Sequence, residues 1–120
     1  PQPEVKQPNR KFDIADRAGK FLKAYKENQV FADKNLKGKR LAVNGKVKNV
    51  TNGIIDGVNV SINDGNKYDF STVTCNFDKD TPGLDTLVKG QEIFLVGDCN
   101  GGTTIGITLT DCVLLIPKKK

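Results

Sequence analysis

The chain has 120 residues, of which 37% are hydrophobic and 28% charged. That is enough for one domain with a packed core, and too apolar for a disordered chain. Nineteen Lys and Arg against fourteen Asp and Glu leave a net charge of +5, which favours acidic partners such as nucleic acid, anionic head groups or acidic proteins, and equally serves solubility. No apolar run approaches the ~20 residues of a membrane-spanning helix, and the absence of His removes the commonest general base near neutral pH and the commonest metal ligand.

The opening PQPEVKQPNRK carries three of the five prolines and one aliphatic residue, so residues 1–12 read as a flexible tether. With no Met anywhere in the chain, a segment is expected to have preceded Pro1. A Pro/Gln-rich tether after such a segment fits a mature exported protein, periplasmic or lipid-anchored. Asp13 is a good N-cap, and Ile14, Ala15, Ala18, Phe21, Leu22 and Tyr25 follow at spacings of three and four. This predicts an amphipathic helix over 14–28, its stripe packed on the domain. Gly19 weakens it by about 1 kcal/mol relative to Ala. Lys20, Lys23 and Lys26 lie mostly off the stripe.

LKGKRLAVNGKVKNV, residues 36–50, alternates with a period of two. It predicts a long first strand whose Leu41, Val43, Val47 and Val50 face a core while Arg40, Lys46 and Lys48 face out. Gly45 in mid-strand marks a bend or a close backbone approach. A second strand follows over 58–63, with Val58, Val60 and Ile62 alternating against Asn59, Ser61 and Asn63. After an Asp64-Gly65 turn, a third strand is expected over 67–77, completing an antiparallel meander. There Val73, Cys75 and Phe77 share one face, and Tyr68, Phe70, Thr72 and Thr74 the other. Pro82-Gly83 ends that strand, and Leu84, Leu87 and Val88 predict a short helix closed by Gly90. The fourth strand, 91–99, is apolar on both faces at Ile93, Phe94, Leu95 and Val96. A fifth alternates from Ile105 towards Ile116, with a bulge at Asp111 that changes its facing. Lys118–Lys120 reads as a solvated basic tail, so the domain is expected over 13–117.

Five strands with a short helix between the third and fourth is the layout of the OB-fold barrel. Locally, Lys37-Gly38-Lys39 before the first strand, Lys89-Gly90-Gln91 before the fourth, the turn from Gly97 to Gly101 and Cys112 near the end resemble the bacterial tRNA-anticodon-like OB-fold family. The resemblance runs from about Asp13 to Ile116. It implies a mainly β protein: a five-stranded OB-fold barrel with an N-terminal amphipathic helix. Many members of that family are lipoproteins to which nucleic-acid binding is assigned by analogy. In an OB barrel the third and fifth strands run parallel as neighbours. That layout favours a Cys75–Cys112 disulfide with Cys99 free, although a bulge or long loop could bring Cys99 across in place of Cys75.

No catalytic pattern is present: neither HExxH, GxSxG, a phosphate-cradling Gly-rich loop nor CxxC occurs. Asp78, Asp80 and Asp85 fit no calcium loop. The chain is therefore expected to be no enzyme and to use no metal or cofactor. The leading expectation is single-stranded nucleic-acid binding, lysines meeting phosphates and rings stacking bases, by Arg40, Lys46, Lys48, Asn59, Lys67, Tyr68 and Phe70. The rival is a cell-envelope protein-interaction module, a scaffold or inhibitor, with no nucleic-acid role.

Overall fold

The computed structural model describes residues 10–53, 57–66 and 69–115. In chain order they form β1 (Ile14–Arg17), α1 (Ala18–Glu27), α2 (Gln29–Leu36), β2 (Arg40–Asn52), β3 (Val58–Asn63), β4 (Thr72–Phe77), a 3-10 turn (Leu84–Thr86), β5 (Glu92–Thr103) and β6 (Gly106–Leu115). The strands run β1-β2-β3-β4-β6-β5, and β2 pairs again with β5, so β2 to β6 close into a five-stranded barrel. The closing β4–β6 pair is parallel and sets Val73 beside Ile107.

The predicted helix divides differently. Ile14–Arg17 is a strand, paired in parallel with Leu41–Asn44. Asp13 does not cap the helix. Its backbone N–H donates to Arg40 O (2.7 Å) and its Oδ2 accepts from Arg40 N (2.8 Å), which locks β1 to the start of β2. Ladder pairing thus overrides the helical spacing that Ile14 shares with Ala18. The cap of α1 comes from far away in sequence: Gly19 N donates to Asp64 Oδ1 (2.9 Å), and Arg17 Nε lies 3.2 Å from Asp64 Oδ2. A Cβ on Gly19 would collide with that carboxylate. The residue that lowers helix propensity is the one that lets the cap approach.

Ala18, Phe21, Leu22 and Tyr25 turn inward from α1, and the helix touches every strand. It stoppers the barrel, and burying each large side chain contributes roughly 1.5–3 kcal/mol. Asn28 ends the run, its backbone N–H on Ala24 O and its Oδ1 accepting from Phe31 N, so it caps a second helix that the sequence did not signal. Both α-helices therefore precede the barrel. The short helix expected between the third and fourth barrel strands is one 3-10 turn. It follows Pro82 and a left-handed Gly83 (φ 90°), and it ends where the backbone becomes extended at Leu87 (φ −71°, ψ 139°). Its Leu84 is buried, and Leu87, Val50 and Val58 pack on the same core.

Gly45 and the expected bulge are both as the pattern implied. A Cβ on Gly45 would lie 3.1 Å from Ala18 Cβ and from Asn63 O, so the start of α1 sits directly on it. At Asp111, φ is 52°, and the β5–β6 register slips between Val96 opposite Val113 and Asp98 opposite Thr110. The slip moves the buried positions of β6 from Ile107 and Leu109 to Cys112 and Leu114. It also swings Cys112 Sγ over Gly97, where an added Cβ would meet it at 2.5 Å.

The Cys75–Cys112 disulfide is a correction. Cys75, Cys99 and Cys112 are all free and buried. The third and fifth barrel strands are neighbours as expected, but their register sets Cys75 opposite Leu109, so the Cys112 side chain reaches the Cys75 thiol only from further along β6, and the two are not bonded. The Cys75 thiol points to Val73 O at 3.8 Å. Burial, with the Cys112 thiol beside it, pushes the Cys75 thiol well above its usual range, so it stays protonated and unreactive.

Gly97→Ala is expected to destabilise by about 1–3 kcal/mol through overpacking, read as a lower urea midpoint. Cys112→Ala in the same background should recover part of that loss, and an uncoupled pair would refute the contact. Alkylation without reductant should leave the folded protein unmodified and add three groups once it is unfolded, by intact mass.

Candidate nucleic-acid interface

The outward positions of β2 divide into two sets. Lys46 and Lys48 reach a groove of about 380 Å³ bounded by Asn63, Gly65, Asn66, Lys89 and Gly90. Lys89 arrives there because Gly90 N donates to Val47 O (2.7 Å) and Val47 N to Gln91 O (2.8 Å). Lys46 lays its stem across Gly65, which has no Cβ to obstruct it. The Lys48 ammonium donates to Asp69 O (3.1 Å) and sits 5.5 Å from the centre of the Phe70 ring, a cation–π distance.

Phe70 is 85% exposed, and the loop holding it there is tightly bonded. Asn63 Nδ2 donates to Asp69 O (3.3 Å), and Gly65 N donates to Asn63 Oδ1 (2.7 Å). Asp69 Oδ1 accepts from Lys26 Nζ (2.9 Å), Ser71 N (3.0 Å) and Ser71 Oγ (2.6 Å). The Lys26 ammonium and then the Ser71 hydroxyl hold the Asp69 carboxyl down at about 2, from an ordinary 3.8. An apolar ring is thus presented to water beside Lys48, with the residues next to it hydrogen-bonded in place. That arrangement can stack a planar group while lysines contact an attached anion.

Arg40 does not belong to this group. It is 7% exposed; its Nε donates to Lys11 O, and its Nη1 to Asp98 Oδ1 and Asp111 O, each at 3.1 Å. The segment before β1 covers it, so it joins β2, β5 and the bulge of β6 as a structural clamp. Asn59 lies elsewhere, its Oδ1 accepting from Asn76 Nδ2 (2.9 Å) on the outer side of β3 and β4. Among the described residues, the paired outward positions on that side, Asn59 opposite Asn76 and Ser61 opposite Thr74, are uncharged and carry no ring. That side is the face on which OB-folds hold their ligands. Lys67 and Tyr68 lie outside the described residues. Of the expected set, the structure brings together Lys46, Lys48 and Phe70. Lys89, Asn63 and the Lys26–Asp69 support were missed. Lys89 belongs to the Lys89-Gly90-Gln91 pattern, which in the sequence signals only the entry to a strand. Among the described residues no cluster of three or more Cys, Asp or Glu is placed to hold a metal ion, and no helix is long and apolar enough to cross a membrane.

Residues 3–113 match the family described as tRNA_anti-like. One similar solved structure is a protein from Klebsiella pneumoniae subsp. pneumoniae MGH 78578 described as a "putative nucleic acid-binding lipoprotein". It is 22% identical, the match covers 85% of this chain and 92% of that one, and the TM-score is 0.66. At that identity the likeness establishes the fold. No curated protein matches.

The Asp69 carboxylate links the loop to pH. Its folded value lies below its unfolded one, so its contribution is complete above about pH 4 and is lost as pH falls towards 2. Urea unfolding between pH 2 and pH 5 should show that loss, and Asp69→Asn should flatten it while lowering stability at pH 7.

Proposed function

The chain belongs to the tRNA_anti-like family, and on that footing we propose that it is a non-enzymatic binding protein that holds single-stranded nucleic acid in the groove between β2 and the loop leading into β4. The observation that carries this reading is the Phe70 ring, exposed and braced beside Lys48, with Lys46 and Lys89 lining the adjacent groove. Phosphates would meet the three ammonium groups and a base would lie on the ring. A single stacking ring and three lysines make a short footprint with little base discrimination. The neutral Asn59–Ser61 face lies outside the contact. We also propose an exported, lipid-tethered placement, supported by the Pro/Gln-rich opening sequence and by the description of the Klebsiella protein as a lipoprotein.

Titrating a labelled single-stranded oligonucleotide at several salt concentrations tests the reading. The slope of log K against log salt should be about −2 for three lysine contacts. Phe70→Ala should weaken binding by about 1–3 kcal/mol, Lys48→Ala should also weaken it, and Asn59→Ala should leave it unchanged. Absence of binding at low salt, or binding indifferent to Phe70, would overturn it.

A further inference from the structure

The groove leaves unused a second exposed apolar feature, at the corner where α1 gives way to α2. Val30 is 79% exposed and Phe31 64%. Among the described residues this is the one place where two consecutive large apolar side chains both face water. The core does not need them: α2 buries Ala32 and Leu36, and at 100° per residue Val30 and Lys34 lie on the opposite side of the helix, with Phe31 next to them. Asn28 caps the turn and fixes their direction.

Charge gathers around the same corner. Residues 18–39 hold six lysines (20, 23, 26, 34, 37 and 39) against Glu27 and Asp33, so this stretch carries +4 of the chain's +5. Lys20, Lys23, Lys34, Lys37 and Lys39 are exposed. Asp33 is turned inward, accepting from Tyr25 OH (2.6 Å) and Gly102 N (3.4 Å). The exposed charged side chains of the two helices are therefore cationic, Glu27 excepted, and Val30 and Phe31 stand among them.

We propose that the Val30–Phe31 corner seats this protein on an anionic lipid surface. Val30 and Phe31 would enter the head-group boundary while the surrounding lysines lie among anionic head groups, their stems along the interface. A polyanion such as nucleic acid complements the lysines but has no apolar volume to receive an exposed valine. A bilayer accepts both. Two side chains are too small an anchor for an uncharged membrane, so the contact depends on anionic lipid and weakens with salt. It is separate from the Lys48–Phe70 groove, and either can exist without the other.

The chain contains no Trp, so Phe31→Trp supplies a single emission reporter at the corner. With vesicles of phosphatidylglycerol and phosphatidylcholine, its emission should shift to the blue and become accessible to lipid-borne quenchers. Pure phosphatidylcholine should give no shift. In flotation of the protein carrying its natural residues, Val30→Ser with Phe31→Ser should lower binding by about tenfold or more, and Lys34→Glu with Lys37→Glu should abolish it at physiological salt. Phe70→Ala should float unchanged, which separates this surface from the nucleic-acid groove. Vesicle binding without an emission shift, or undiminished in the double serine variant, would reduce the contact to charge and overturn the proposal. An emission change produced by oligonucleotide and not by vesicles would assign the corner to nucleic acid and also overturn it.

Discussion

Barrel closure depends on one strand serving three partners. Arg40–Lys46 of β2 pairs with β5, Lys46–Asn52 with β3, and Leu41–Asn44 also with β1 on the side that β3 leaves open. A strand doing this must be long and must curl, and its register slips between Val47 and Asn49 as it passes from one neighbour to the next. The pairing with β1 has a further effect. Because β1 lies parallel to β2, the chain leaves Arg17 over Gly45, and α1 begins on the one position of β2 where no side chain stands in its way. The stopper of the barrel is therefore placed by the same strand that closes the wall.

Period and punctuation carried most of the architecture. Alternation in residues 36–50 and 58–63, the Gly45 approach and the change of facing at Asp111 all correspond to features of the barrel, because each reflects a local rule about which face of a strand is buried. What stayed illegible depended on partners distant in sequence. Ile14 fits a helical stripe and is a strand because Leu41 is available to pair with it. Gly19 reads as a weak helix residue until Asp64 is placed against it. Asn28 cannot be read as the cap of a second helix without knowing that Ala32 and Leu36 have a core to enter.

The candidate site was legible to a lesser degree, for a physical reason. Alternation tells which way a side chain points but not what lies over it. Arg40, Lys46 and Lys48 share one face of β2, yet Lys11 and Asp13 run across the first while the other two remain at the groove. Alternation puts Phe70 on a strand face; it stands in a loop, next to Asp69 and that residue's bonds to Lys26 and Ser71. The segment next to that ring is held by a carboxylate and an ammonium 43 residues apart.

Charge and fold are largely decoupled in this molecule. The guanidinium of Arg40 is buried and ties Lys11 O, Asp98 Oδ1 and Asp111 O together, so removing it would unfasten three separate segments of the chain. Lys46 crosses Gly65 with its stem and Lys89 is exposed at the groove, so their charge can vary at little cost to stability. A polyanion on the neutral β3–β4 face would find hydroxyls and amides but no compensating charge. Positive side chains stand instead on β2, at Lys46 and Lys48. The same reasoning explains why the barrel alone says little about a partner: the residues that close it are not the residues that set its surface potential.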